Sequence, residues 1–281
     1  MCSSATCGVR CLSGAGKVLL IGFGSMGQAL VRGWLAEGRA ASAIEVVDAL
    51  PAARAAAAEL GIAARGEVGT AAAADVVVLA VKPNQLKDVL PQCAALARSG
   101  AVFLSIAAGK TIGEIERGVG PKSAVVRAMP NTPAAIGRGM AALVANPAAT
   151  KRQRELCAEL LAAVGAIAWL DDERDMDAVT AISGSGPAYV FLLVECLEQA
   201  AIDLGLPTAL AKQLALETVA GAAAYAAAAD EPPAELRRRV TSPNGTTQAA
   251  LDVLMGEHGM RELLARATRA AAERSRELAR A

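Results

Sequence analysis

Val18-Leu19-Leu20-Ile21-Gly22-Phe23-Gly24-Ser25-Met26-Gly27 is a short apolar run that passes into a glycine-rich turn and then into a helix-spaced segment. G-x-G-x-x-G in this strand-turn-helix context is a dinucleotide-binding fingerprint. Gly22 permits the tight turn, Gly24 lets the backbone approach a pyrophosphate, and Gly27 lets the helix pack closely on the strand. With Phe23, Ser25 and Met26 they form the candidate phosphate-binding turn. Asp48 ends the next apolar run, about 20 residues on, where a carboxylate holds the adenosine ribose hydroxyls. That placement favours NADH over NADPH. A 2′-phosphate would add negative charge within a few ångströms, at a cost of about 4 kcal/mol per unit charge at intermediate dielectric. Arg54, six residues further on, would offset part of this. The competing reading of Asp48 is a helix-capping acid after a strand.

Outward from this stretch, short apolar runs alternate with helix-spaced segments, the signature of an α/β Rossmann-like domain with a mostly parallel sheet. Residues 18–22, 44–48, 75–81, 101–106, 124–128, 140–144 and 166–170 read as strands, and 26–37, 51–60 and 151–164 as helices. Pro91 argues for a kink or late start in a helix over 85–97. Two further turns fall at strand carboxyl ends, where open α/β sheets bind ligands: Ala80-Val81-Lys82-Pro83, and Ser105-Ile106-Ala107-Ala108-Gly109. Both are expected to line the cofactor, although Lys82 alone reads equally as a surface lysine. After Asp172 the strand-like runs give way to helices broken at Gly205-Leu206-Pro207, Glu231-Pro232-Pro233 and Gly256. The helices over 187–204 and 208–229 are apolar round much of their circumference, which predicts burial in a homodimer through an all-α domain. The expected organisation is a disordered tail over 1–16, a Rossmann domain over 17–173 and a helical dimerisation and substrate domain over 174–281.

The chain of 281 residues has 28 basic and 28 acidic residues and 2% aromatics, which argues against nucleic acid as a partner. Its 54% hydrophobic content is largely alanine and valine, and no uninterrupted apolar run approaches the ~20 residues of a membrane span. Cys2, Cys7 and Cys11 crowd the start, Cys93, Cys157 and Cys196 stand singly, and His258 is the only histidine. Neither a zinc site nor a Cys/His catalytic pair can be assembled, so no metal is expected. Residues 1–16 lack the apolar region of a secretory signal, and a reducing cytoplasm is the expected location.

Val240-Thr241-Ser242-Pro243-Asn244-Gly245-Thr246-Thr247-Gln248 combines a rigid proline, two residues that tolerate left-handed backbone, and hydroxyls at the start of a helix. It reads as an anion site of converging amides that suits a small carboxylate, or as a plain interhelical turn. In either reading Thr246 or Thr247 is expected to cap a helix beginning near Gln248.

With G-F-G-S-M-G, A-V-K-P, Met129-Pro130-Asn131-Thr132-Pro133, Ser183-Gly184-Ser185-Gly186-Pro187-Ala188-Tyr189 and the 240–248 turn in this order, residues 17–281 resemble the pyrroline-5-carboxylate reductases. The resemblance implies NAD(P)H-dependent reduction of 1-pyrroline-5-carboxylate to proline, the last step of proline biosynthesis. It also implies a helical domain interlocked with a partner subunit, often within a decamer of five dimers. On the family pattern the substrate carboxylate lies on Ser242, Gly245, Thr246 and Thr247, with Thr247 facing the ring nitrogen. Glu173 falls near the proline site, and the S-G-S-G-P turn shapes the pocket. A protonated imine is already electrophilic, so the site needs no strong acid or base. The chain departs from the family at Asn244, where glycine is usual, at Asp48, and in the cysteine-bearing segment before Lys17. The alternatives are a reductase of another cyclic imine or a hydroxyacid, and a non-catalytic dinucleotide-binding regulator. Lys212, the only lysine between Lys151 and the C-terminus, is poorly placed for hydroxyacid chemistry.

Overall fold

The computed structural model describes residues 16–69 and 73–280. The expected tail lies outside these residues except for Gly16, which is buried and whose carbonyl accepts from the Arg39 guanidinium at 2.8 Å. Eight strands form one sheet: β1 (Val18–Ile21), β2 (Ile44–Val47), β3 (Ala63–Arg65), β4 (Val76–Leu79), β5 (Val102–Ser105), β6 (Val125–Met129), β7 (Gly139–Ala145) and β8 (Gly165–Trp169). Among them run helices α1 (Ser25–Ala36), α2 (Pro51–Glu59), α3 (Leu86–Val89), α4 (Ala94–Arg98), α5 (Ile112–Val119) and α6 (Lys151–Ala162). Then come α7 (Met176–Val179), α8 (Gly186–Asp203), α9 (Thr208–Ala228), α10 (Pro233–Arg239), α11 (Thr246–Leu254) and α12 (Met260–Arg280).

The strand order is β3-β2-β1-β4-β5-β6-β7-β8, parallel throughout except that β6 and β7 are antiparallel. Alternate residues of the central strands feed two separate cores. Val18, Leu20, Val76 and Val78 join Trp34 and Leu160 on one face, while Leu19, Ile21, Val77 and Leu79 join Phe103 and Ile115 on the other. A sheet covered on both faces needs the near-continuous apolar strands seen in the sequence. The sequence-based reading lacked β3, an edge strand of Ala-Ala-Arg with no β-branched residue. Pro91 starts no long helix. It breaks the segment into α3, a 3-10 turn over Leu90–Cys93, and α4.

By compactness the described residues divide into one unit that runs up to Gly184 and resumes at Ala272, and a second of Ser185–Ala271. Within the second unit α8 packs along α9, yet many large apolar side chains on these helices are exposed, among them Phe191 (59%), Leu192 (57%) and Leu214 (45%). The helical run Glu173–Asp203 is long and apolar enough to cross a membrane by length and composition, with mean hydropathy 1.3.

Candidate active site

Order reverses in the sheet between β1 and β4, since β1 connects to β2 on one side while β4 lies on the other. Ligands of such sheets bind at this reversal, beyond the strand carboxyl ends. The three glycines of the first turn meet different surroundings there. Gly22 has φ +99°, and a Cβ on it would stand 2.7–2.8 Å from the backbone of Ala80 and Val81 at the end of β4. Gly24 faces open space, and a Cβ on Gly27 would collide with the Gly22 carbonyl oxygen. The turn is thus closed below and open above. Gly24 and Ser25 are exposed, and no protein acceptor pairs with the amides of Ser25, Met26 or Gly27 among the described residues. These first-turn amides, with the helix dipole of α1 behind them, fit a pyrophosphate. The Phe23 side chain is buried in the core, so only its backbone belongs to the turn.

Asp48 does two things at once. Its Oδ2 accepts from the Phe23 amide at 2.7 Å, tying the end of β2 to the glycine turn, and its Oδ1 accepts from the Leu50 amide at 2.9 Å ahead of α2. Asp48 does not cap α2, whose N-cap is Leu50 with no side-chain cap, and each of its oxygens keeps a lone pair for a further donor. Arg54 Nη1 donates to the backbone carbonyls of Asp48 and Ala49 at 2.8 and 2.7 Å, which ties its guanidinium to the chain that follows β2. Ala80 and Val81 follow β4, and buried Ala107 follows β5, its amide 3.4 Å from the Ser105 hydroxyl. Lys82 is exposed and opens the 3-10 turn that begins at Pro83.

Glu173 lies in the first unit. Its Oε1 accepts from the Ile112 amide, at the start of α5, and from the buried Arg127 guanidinium, at 2.9 and 2.8 Å. A buried arginine requires such a partner. Sequence reasoning missed Arg127, because a lone arginine inside an apolar strand carries no local sign of what it pairs with.

Ser242, Gly245, Thr246 and Thr247 lie together in the second unit. The Gly245 amide donates to the Ser242 carbonyl at 3.0 Å across Pro243 and Asn244. Asn244 has φ +58°, so this is a turn with proline at its second position and left-handed backbone at its third, the arrangement of a type II turn. Gly245 has φ −83°, open to any residue, and a Cβ there would meet the Ser242 hydroxyl in its present rotamer. The capping expectation is corrected. Gly245 is itself the N-cap, with extended backbone and no side-chain cap, and α11 begins at Thr246 rather than near Gln248. Both threonines sit inside the first turn. Among the described residues no protein acceptor pairs with the amides of Thr246, Thr247 or Gln248, and neither threonine hydroxyl makes a hydrogen bond. Thr241 belongs to the preceding helix instead, its hydroxyl donating to the Arg237 carbonyl at 2.7 Å.

Residues 173–278 match the pyrroline-5-carboxylate reductase dimerisation family, and residues 17–109 match the family described as NADP oxidoreductase, coenzyme F420-dependent. The chain is 43% identical to the pyrroline-5-carboxylate reductase of Pseudomonas aeruginosa, over 94% of this chain and 97% of that one. The chain belongs to the pyrroline-5-carboxylate reductase family. A solved pyrroline-5-carboxylate reductase from Coxiella burnetii superposes with a TM-score of 0.89 at 37% identity, covering 94% of this chain and 98% of that one. The Plasmodium falciparum pyrroline carboxylate reductase, solved with NADP bound, gives 0.82 at 29% identity, covering 94% and 98%. The protein is accordingly an oxidoreductase with a nicotinamide dinucleotide as its cofactor, and 173–278 is its region of homo-oligomerisation.

Family membership directs attention to two further motifs, residues 129–133 and the S-G-S-G-P helix entry. Met129-Pro130-Asn131-Thr132-Pro133 follows β6 at the same carboxyl edge as the glycine turn. Its Asn131 Nδ2 donates to the Ser183 carbonyl at 3.0 Å, while Oδ1 accepts from the Met140 amide at 2.9 Å. Ser183 and Gly184 end a π-helical turn over Thr180–Gly184, and a Cβ on Gly184 would come within 2.6 Å of the Met129 methyl. The two motifs are one assembly.

Proposed function

We propose that the turn from Ser242 to Thr247 receives the carboxylate of 1-pyrroline-5-carboxylate, and that Thr247 serves its ring nitrogen during reduction to L-proline. The reaction is the NAD(P)H-dependent reduction that ends proline biosynthesis. The observation that carries the site reading is the set of unpaired amides at Thr246, Thr247 and Gln248, beside hydroxyls without protein partners. A carboxylate there gains charge-assisted hydrogen bonds and the positive end of the α11 dipole. Held at that point, the ring presents one face of its C=N bond. When bound, the dinucleotide would supply the hydride; the imine carbon, which already carries one hydrogen, becomes CH2 as the C=N π pair returns to the protonated nitrogen as the amine lone pair. The imine nitrogen carries its proton in from solution, so the Thr247 hydroxyl needs only to orient the nitrogen and bond the amine that forms. Asn244 takes the left-handed position that glycine holds elsewhere in the family, at modest cost.

The glycine turn, Asp48, Ala80, Val81, Lys82, Pro83 and Ala107 are assigned to the dinucleotide, with NADH preferred. Glu173 acts on the substrate only indirectly, by holding the start of α5 against Arg127. The exposed apolar side chains of α8 and α9 are covered in a homodimer, which accounts for the membrane-like composition of Glu173–Asp203 without a bilayer. A decamer built from such dimers and a cytoplasmic location complete the reading. Purified protein should consume NADH only when pyrroline-5-carboxylate is added, with proline formed in equal amount. Absence of turnover with either reduced dinucleotide would refute it.

A further inference from the structure

We infer that Asn131 is a positioning residue that stands in for a missing helical amide and so fixes the wall of the site formed by Ser183 and Gly184. The inference rests on the reading of the sheet's carboxyl edge as the dinucleotide site.

In a continuous helix the Ser183 carbonyl would accept from the amide four residues on. That residue is Pro187, which has no N–H. The S-G-S-G-P sequence therefore creates an orphan carbonyl by its own chemistry, at a point where the helical ladder has already widened into a π turn. π turns occur as single insertions and gather at functional sites. Asn131 supplies the donor from another element, at 3.0 Å. Its carboxamide has a fixed orientation, because Oδ1 faces an N–H and Nδ2 faces a C=O, and the flipped amide would satisfy neither. Two more contacts fix the same turn: the Thr180 hydroxyl donates to the Met176 carbonyl at 2.8 Å, and the Ser183 hydroxyl to the Val179 carbonyl at 3.1 Å.

The place of this assembly gives it a role. Asp48 puts the adenosine half of a dinucleotide on the β2 side of the glycine turn, so the nicotinamide half extends the other way, over the ends of β4 and β5 toward β6. Asn131 lies two residues beyond β6, which pairs with β5 in parallel register Ser105↔Arg127. The backbone it holds thus borders the nicotinamide end, where displacement by a fraction of an ångström disturbs hydride approach more than dinucleotide affinity.

A double-mutant cycle tests this. Asn131→Asp keeps size and the acceptor for Met140 but loses the donor, leaving an oxygen against the Ser183 carbonyl. Pro187→Ala restores an amide at the helical position. Asn131→Asp should lower kcat about tenfold or more while NADH dissociation, followed by fluorescence, changes less than about twofold. Measured against Pro187→Ala alone, the double variant should show much less than the loss that Asn131→Asp causes in the parent. Additive losses, or full turnover in Asn131→Asp, overturn the inference. If Asn131→Asp does not fold, Asn131→Ser carries the same cycle. Melting temperatures of the four proteins read the coupling independently of chemistry, so a parent protein that fails to reduce pyrroline-5-carboxylate refutes the functional reading without deciding this one.

Discussion

Replacing Asp48 by Asn should move the dinucleotide preference toward NADPH by roughly ten- to hundredfold. Two unit charges about 5 Å apart repel by about 3 kcal/mol at an effective dielectric near 20. The carboxylate is half-exposed and already accepts amides from Phe23 and Leu50 at 2.7 and 2.9 Å, so screening brings the net effect to about 1.5–3 kcal/mol, or that tenfold to hundredfold range. The substitution has a second effect. Asn can still accept from Leu50 through Oδ1, but then turns an amide toward the Phe23 N–H, which loosens the glycine turn for both dinucleotides alike. The ratio of kcat/KM for NADH to that for NADPH cancels this shared loss and isolates the charge. Steady-state rates with each dinucleotide, at low and at physiological salt, give the ratio directly. A ratio unchanged within about threefold would refute the role of the carboxylate, and a parent protein that already prefers NADPH would refute its premise.

Thr247→Ala should lower turnover strongly and leave NADH affinity nearly unchanged, as measured by initial rates and by fluorescence titration; full activity would remove Thr247 from the mechanism. Leu192→Glu combined with Leu214→Glu puts charge on the exposed faces of α8 and α9, and should yield monomers in light scattering with loss of activity. The Cys93 and Cys157 thiols are each pushed up to about 12 by burial, from an ordinary value of 9.0. In the folded chain they should resist alkylation at mildly alkaline pH. The folded state keeps these protons while the unfolded state releases them above 9.0, so their contribution is fully present below pH 9 and declines by about 1.4 kcal/mol per thiol per pH unit toward pH 12. Denaturation midpoints in urea from pH 8 to 10.5 should fall less in the Cys93→Ala, Cys157→Ala pair than in the parent.

Where a residue's role depended on its immediate neighbours, the sequence was legible. Gly22, Gly24 and Gly27 each do something different because a strand must turn into a helix within six residues, and the pattern states that requirement. The two-sided core was readable for the same reason, since Val76–Leu79 is apolar at every position and has no face to spare for water. β3 was not readable, because Ala63–Arg65 is a strand only by pairing with β2 at the sheet edge. Its residues prefer nothing in particular, and tertiary context decided the matter.

The turn from Ser242 to Thr247 shows how a local reading can pick out a segment and still miss its details. Threonine before a helix ordinarily predicts a side-chain cap, and that expectation set the start of α11 two residues too late. Glycine at the cap position, extended and without a side chain, leaves the first-turn amides unclaimed. A capping threonine would have occupied one of them with its own hydroxyl. The same sequence that makes a poor cap therefore leaves the donors that the proposed anion site requires, and the hydroxyls stay available for a second polar group. Asn131 and Pro187 extend this logic across 56 positions of sequence, where no local rule reaches. A proline that removes a donor and an asparagine that supplies one are each unremarkable alone, and only the fold shows that the first creates the need met by the second.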